Sequence, residues 1–204
     1  MIYEPREDSL LLQKYVAQYA KGSVLDMGTG SGIQAETALQ KTNDVLAADI
    51  DKEVISHIKK KNISVVHSDL FSKIQKKKFD LIIFNPPYLP ADKREKFEDS
   101  VALTGGKYGY EILERFFSQA KLYLKDEGKV LIVFSTITGD IEFILNKYGY
   151  SFKKLDEQSF FFERIFVYLV EPKKQLKITN NKKDTKHTET FKSQIFANTR
   201  GVDD

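Results

Sequence analysis

The residues of this chain best equipped for chemistry are Asn85-Pro86-Pro87-Tyr88, which follow the apolar run 79–84 without a break. Proline fixes φ and has no N–H, so two in succession make a rigid turn whose carbonyls can face a ligand. The Asn85 side-chain oxygen and the Pro86 carbonyl are then two acceptors, a match for an –NH2 group with two N–H donors. Tyr88 offers a flat face to a planar substrate. Holding both N–H groups directs the nitrogen toward an electrophile, and orientation of this kind can lower a barrier by on the order of 7–11 kcal/mol. The same acceptors stabilise positive charge developing on the nitrogen, an interaction stronger in the transition state than before it.

A second constellation lies upstream. Asp26 is followed by Gly28, Gly30 and Gly32 at every second position, at the end of the apolar stretch 23–27. Such a turn lets a ligand approach bare backbone. The spacing is not the G-x-G-x-x-G of a dinucleotide site, and no Gly-Lys-Ser/Thr phosphate clamp follows. Asp49 closes the next apolar run, where a carboxylate can accept from two ribose hydroxyls. Asp69-Leu70 follow the third, placing an acceptor for an exocyclic amine beside an apolar packing residue. Asp51 competes with Asp49, but it precedes Lys52-Glu53-Val54 as a helix N-cap would.

These groups need an α/β frame that carries them to one edge. Apolar runs at 23–27, 45–48, 64–67, 79–84 and 129–134 predict buried parallel strands, with helical patterns at 32–41, 52–61, 109–124 and 139–147 between them. An amphipathic helix is expected over 7–19, with Leu11, Leu12, Tyr15, Val16 and Tyr19 on one face. Two last strands, near 151–156 and 165–171, follow one another without a helix and predict an antiparallel pair. The expectation is a Rossmann-like sheet of seven strands, mostly parallel, with helices on both faces.

Composition narrows the chemistry. The 204 residues include no cysteine and three histidines (His57, His67, His187), so thiolate catalysis, disulfides and cysteine-based metal sites are excluded and a metal-free protein is expected. No run of about 18 apolar residues is present to cross a membrane, and the polar N-terminus lacks a signal peptide, so the default expectation is a cytoplasmic protein. The net charge of +3 is carried by the end of the chain: residues 172–204 hold eight lysines and arginines against four acids, leaving −1 over 1–171. The body therefore has no basic bias toward nucleic acid. We read 1–171 as the domain and the Lys-rich 172–204 as a disordered tail. His57 is expected to be exposed and His67 to pack. Phe143, Tyr148, Tyr150 and Phe160-Phe161-Phe162 are expected in a core around the last strand pair, with the triple Phe as a partner surface in the alternative.

The order Asp26-x-Gly28-x-Gly30-x-Gly32, Asp49, Asp69 and Asn85-Pro86-Pro87-Tyr88 resembles the class I S-adenosylmethionine-dependent methyltransferases, over roughly residues 1–171. Asn-Pro-Pro-Tyr after the fourth strand is similar to enzymes that methylate a planar amino group. Tyr3-Glu4-Pro5-Arg6-Glu7-Asp8-Ser9-Leu10 and the Gly105-Gly106-Lys107-Tyr108-Gly109 segment resemble the short archaeal and eukaryotic HemK-like release-factor glutamine methyltransferases. That resemblance implies S-adenosylmethionine as cofactor, met by Ser9, Asp26, Gly28, Asp49, Asp69, Leu70 and Asn85, with the glycine turn including Gly30 and Gly32. It further implies that Asn85-Pro86-Pro87-Tyr88 hold a glutamine amide, and that a release factor and a small zinc-binding activator subunit are partners. Ser9 stands where the family commonly has Thr, Asp26 where Glu is frequent, and Tyr110 where a basic residue is common.

The expected activity is methylation of a protein glutamine side-chain amide. An RNA or DNA amino-methyltransferase shares the chemistry but would bring a target-recognition region that is not evident here. A nicotinamide-dependent oxidoreductase would leave Asn85-Pro86-Pro87-Tyr88 unexplained, and a non-catalytic binding subunit would require a blocked pocket.

Overall fold

A computed structural model describes residues 4–87, 110–160 and 162–174. Among them lie seven strands: β1 (Ser23–Met27), β2 (Asp44–Asp49), β3 (Val65–His67), β4 (Phe79–Phe84), β5 (Leu124–Ser135), β6 (Tyr150–Ser159) and β7 (Arg164–Pro172). They form one sheet in the order β3-β2-β1-β4-β5-β7-β6. β1 to β5 run parallel, and β7 lies antiparallel between β5 and β6. Five α-helices accompany them: α1 (Glu7–Tyr19), α2 (Ile33–Leu39), α3 (Lys52–Lys60), α4 (Glu111–Ala120) and α5 (Ile141–Lys147).

The pleat sends successive strand residues to opposite faces, so each face has its own core. On one side Leu25, Met27, Ile82, Phe84, Val130 and Ile132 meet α4 through Leu113, Phe116 and Phe117, and α5 through Ile144 and Leu145. On the other, Val24, Leu81, Ile83, Leu131 and Val133 meet Leu12 and Val16 of α1, Ala35 and Ala38 of α2, and Ile58 of α3. α1 occupies the expected residues, and the four-residue spacing of Leu12 and Val16 stacks both on its buried face. Tyr15 donates from its hydroxyl to Asp156 at 2.8 Å, tying α1 to β6.

β5 begins five residues earlier than its apolar run, at Leu124, with a register shift against β4 between Phe79 and Leu81. Gly128 permits it, since a Cβ there would sit 2.7 Å from the Phe79 carbonyl. Several aromatic expectations need correction. Tyr150 is buried, but Phe143 is 63% and Phe162 89% exposed, because β6 ends at Ser159 and α5 turns Phe143 outward. Phe161 lies outside the described residues. His67 is exposed rather than packed, its ring Nε2 2.8 Å from the Ile50 carbonyl, and His57 is half-buried. Lys173 and Lys174 follow β7, and the rest of the tail lies outside the described residues.

The strand order reverses between β1 and β4. From β1 the sheet is extended first by β2 and β3 on one side, then by β4 and β5 on the other. Met27 pairs with Ala48 and with Phe84, so β1 and β4 end level and β2 runs one residue further, to Asp49. A crevice at the carboxyl ends of such strands is where open α/β sheets bind ligands.

Candidate active site

A cavity of about 550 Å³ opens over this edge, within the range that takes a small molecule. Its floor is the turn after β1. Gly28, Gly30 and Gly32 all have positive φ (64°, 51° and 87°), the region that side-chain-bearing residues avoid. Asp26 shapes this turn: it accepts from the Thr29 hydroxyl at 2.6 Å and from the Ala35 N–H at 3.1 Å. Asp49 accepts from the Gly30 N–H at 3.1 Å and the Asp51 N–H at 2.9 Å, bracing β2 against the turn. The Asp51 carboxylate accepts from the Glu53 N–H at 2.7 Å as the α3 N-cap. Gly32 is not among the cavity-lining residues; a Cβ on it would meet Ile58 of α3 at 2.6 Å, so its role is to let α2 and α3 approach.

At the end of β3, Ser68 donates to the Leu70 carbonyl at 2.6 Å and accepts from the Lys73 N–H at 2.9 Å. This holds Leu70 at φ +46°, a conformation leucine rarely adopts, with its side chain buried against the cavity. Asp69 also lines the cavity, but one of its oxygens is taken by Arg115 of α4 at 2.7 Å.

The turn after β4 brings Asn85, Pro86 and Pro87 to the cavity wall; Tyr88 lies outside the described residues. The first turn of α1 crosses behind them. Asn85 donates through Nδ2 to Asp8 Oδ2 at 3.1 Å and to Ser9 Oγ at 3.2 Å, while its Oδ1 is buried with no hydrogen-bond partner among the described residues. Gln34 of α2 donates through Nε2 to the Ser9 carbonyl at 2.8 Å, and its Oε1 is likewise buried and unpartnered. Phe160 and Glu163, from the turn between β6 and β7, close the far wall.

The electrostatics favour a cation. Burial pushes the Asp26 carboxyl up to about 7, against the bonds from Thr29 and Ala35, with Asp49 adding to the rise. Burial also raises Asp49. S-adenosylmethionine fits these residues: it carries a sulfonium and an ammonium for the acids and for the Gln34 oxygen, and no phosphate, matching the missing clamp. Among the described residues no cluster of His, Cys, Asp or Glu could hold a metal, and no helix is long and apolar enough to cross a membrane.

The sheet order, the level ends of β1 and β4 and the cavity over them are those of a class I S-adenosylmethionine-dependent methyltransferase. The family model for the methyltransferase small domain matches residues 7–161, and the chain belongs to that family. Among its relatives is a Methanocaldococcus jannaschii protein named "Putative protein N5-glutamine methyltransferase", 39% identical over 152 residues, covering 70% of this chain and 77% of that one. A release factor glutamine methyltransferase of Lactococcus lactis is 32% identical over 143 residues, or 62% of this chain; the chain spans 53% of that relative's length. The E. cuniculi Mtq2 fold, from the Mtq2–Trm112 complex responsible for methylation of the eRF1 translation termination factor, superposes with a TM-score of 0.68 at 24% identity, over 83% of this chain and 98% of that one.

Proposed function

We propose that this chain transfers a methyl group from S-adenosylmethionine to the side-chain amide nitrogen of a protein glutamine in a peptide-chain release factor. The observation that carries the reading is the Asn85 oxygen: a buried acceptor at the tip of β4, in a cavity, with nothing donating to it. Native structures rarely leave such an atom unmet unless a ligand meets it. An –NH2 group supplies the missing donor, and the Pro86 carbonyl takes its second hydrogen.

In this reading Asp26, Gly28, Gly30, Asp49, Asp69, Leu70 and Ser9 hold the methyl donor, and Gln34 joins them. S-adenosylmethionine supplies a methyl group already activated on a sulfonium. Asn85 and Pro86 aim the amide nitrogen and stabilise the positive charge that grows on it, and Tyr88 packs on the amide plane. The names of the archaeal and bacterial relatives support glutamine as acceptor. A small zinc-binding activator subunit belongs to the same proposal; the two-protein assembly of the E. cuniculi neighbour supports a partner protein, and its zinc and its activating role come from the family resemblance alone. Such a substrate would have the enzyme work in the cytoplasm, and residues 1–171 would carry the activity without the tail.

The test is incubation with methyl-labelled donor, a release factor and total RNA together. Label on a release-factor glutamine supports the reading; label on RNA alone overturns it in favour of a nucleobase amine.

A further inference from the structure

The unpartnered oxygen of Asn85 raises a question that the turn itself does not answer. The two ends of an amide are nearly isosteric, so a rotation of half a turn would present an NH2 donor to the acceptor instead of an oxygen. An NH2 group there would face the N–H groups of a substrate amide, donor against donor. Something must hold one orientation, and it lies 77 residues away in the sequence.

We propose that Asp8 is the positioning residue that fixes the Asn85 amide with its oxygen toward the acceptor. A carboxylate only accepts, so Asp8 Oδ2 at 3.1 Å can face only the Nδ2 end. Ser9 reinforces the choice. Its hydroxyl lies 3.3 Å from Asp8 Oδ1 and donates there, so toward Asn85, at 3.2 Å, it accepts as well. The Ser9 N–H donates to the same Asp8 oxygen at 2.6 Å, and the Ser9 carbonyl accepts from Gln34, which pins the helix turn to α2. Asp8 and Ser9 are 2% and 3% exposed, so water cannot readily stand in for either partner. The flipped amide would set its oxygen against a buried carboxylate and leave two N–H groups unmet, which is costly in such a place. The first turn of α1 therefore decides whether the tip of β4 accepts or donates. This inference rests on the reading of Asn85 given above, which the experiment also tests separately.

Four variants separate the possibilities: Asn85→Ala, Asp8→Asn, Asn85→Asp and the swap D8N/N85D. Asp8→Asn allows either amide orientation, so kcat is expected to fall about tenfold while the affinity for S-adenosylmethionine stays within severalfold. Asn85→Asp sets two buried carboxylates together and is expected to lose at least a hundredfold. The swap returns one donor and one acceptor to the contact, with a free carboxylate oxygen at position 85, and should be at least tenfold more active than Asn85→Asp alone. Wild-type kcat in Asp8→Asn, or a swap no better than Asn85→Asp, overturns the proposal. Wild-type turnover in Asn85→Ala overturns the reading of Asn85 instead. A measurement on the wild-type protein needs no variant: hydrogen exchange of the Asn85 side-chain NH2 should be strongly slowed, and exchange at the rate of a free amide overturns the assignment.

Discussion

Around the glycine turn every acid faces a donor of its own chain: Asp26 takes the Thr29 hydroxyl and the Ala35 N–H, Asp49 takes the Gly30 and Asp51 N–H groups, and Asp69 takes Arg115. One strand away, at the tip of β4, the Asn85 side-chain oxygen takes nothing among the described residues. The glycine-turn side of the cavity is thus braced by its own hydrogen bonds, and on the proposed function its carboxylates would serve both as braces and as binding groups. On the proposed function the Asn85 side would keep one hydrogen bond in reserve for the group that reacts. That function would share binding among several satisfied residues and concentrate turnover on one unsatisfied atom.

That contrast breaks first at Asn85. Asn85→Ala should lower turnover by about 10^2 or more, the scale of losing one transition-state partner, and leave the calorimetric affinity for the methyl donor within severalfold. Asp49→Ala should behave in the opposite sense: affinity falls about tenfold, as for one lost charged hydrogen bond, while turnover at saturating donor changes less. Equal losses in both measurements for both variants would erase the distinction between the halves.

Asp26 sharpens it through pH. The folded protein holds the Asp26 proton to about pH 7, whereas an unfolded carboxyl releases it near 3.8. Between those values the native state binds more protons, so the contribution of Asp26 to stability falls as pH rises and stays low above pH 7. Urea titrations of wild type and Asp26→Asn should therefore diverge from pH 4 to 7, with the variant gaining, and run parallel above. A cationic ligand favours the ionised form, so donor binding near pH 7 should release protons, read as a dependence of the binding heat on the buffer's ionisation enthalpy.

Smaller effects test the structural members. Gly32→Ala forces a side chain to φ +87° and against Ile58. It should cost about 1–2 kcal/mol, a fall of several degrees in Tm, with little loss of donor affinity in the protein that remains folded. Arg115→Gln removes an ion pair whose side chains are half in water, and chemical denaturation should shift by less than about 1 kcal/mol.

Much of this arrangement can be read from residue order, because strand ends and turns are local. The 3/4 spacing of α1, the Asp51 cap and the level sequence of Asp26, Asp49 and Asn85 all depend on neighbours within a few positions. The roles of Asp8 and Gln34 are not legible for the opposite reason: they lie in contacts spanning 77 and 25 residues. Asp8 stands in the stretch 3–10 that carries the family resemblance, but nothing there points to Asn85, and nothing around Gln34 marks it. Phe143 and Phe162 misled because an aromatic near a strand reads as core until the strand end and helix rotation are known. Arg115 beside Asp69 required a contact across 46 residues to be seen, and Phe160 and Glu163 in the cavity lining required the β6–β7 turn to be placed.

The position of β7 also has a temporal consequence. Among the described residues β6 pairs only with β7, and β7 lies between it and β5, so β6 leaves the ribosome before the strand it pairs with. The turn that carries Phe160 and Glu163 is settled only when residues up to Pro172 have emerged. A nascent chain can close the glycine turn early, but the part of the cavity lining that comes from the β6–β7 turn is completed after the other strands of the sheet have emerged.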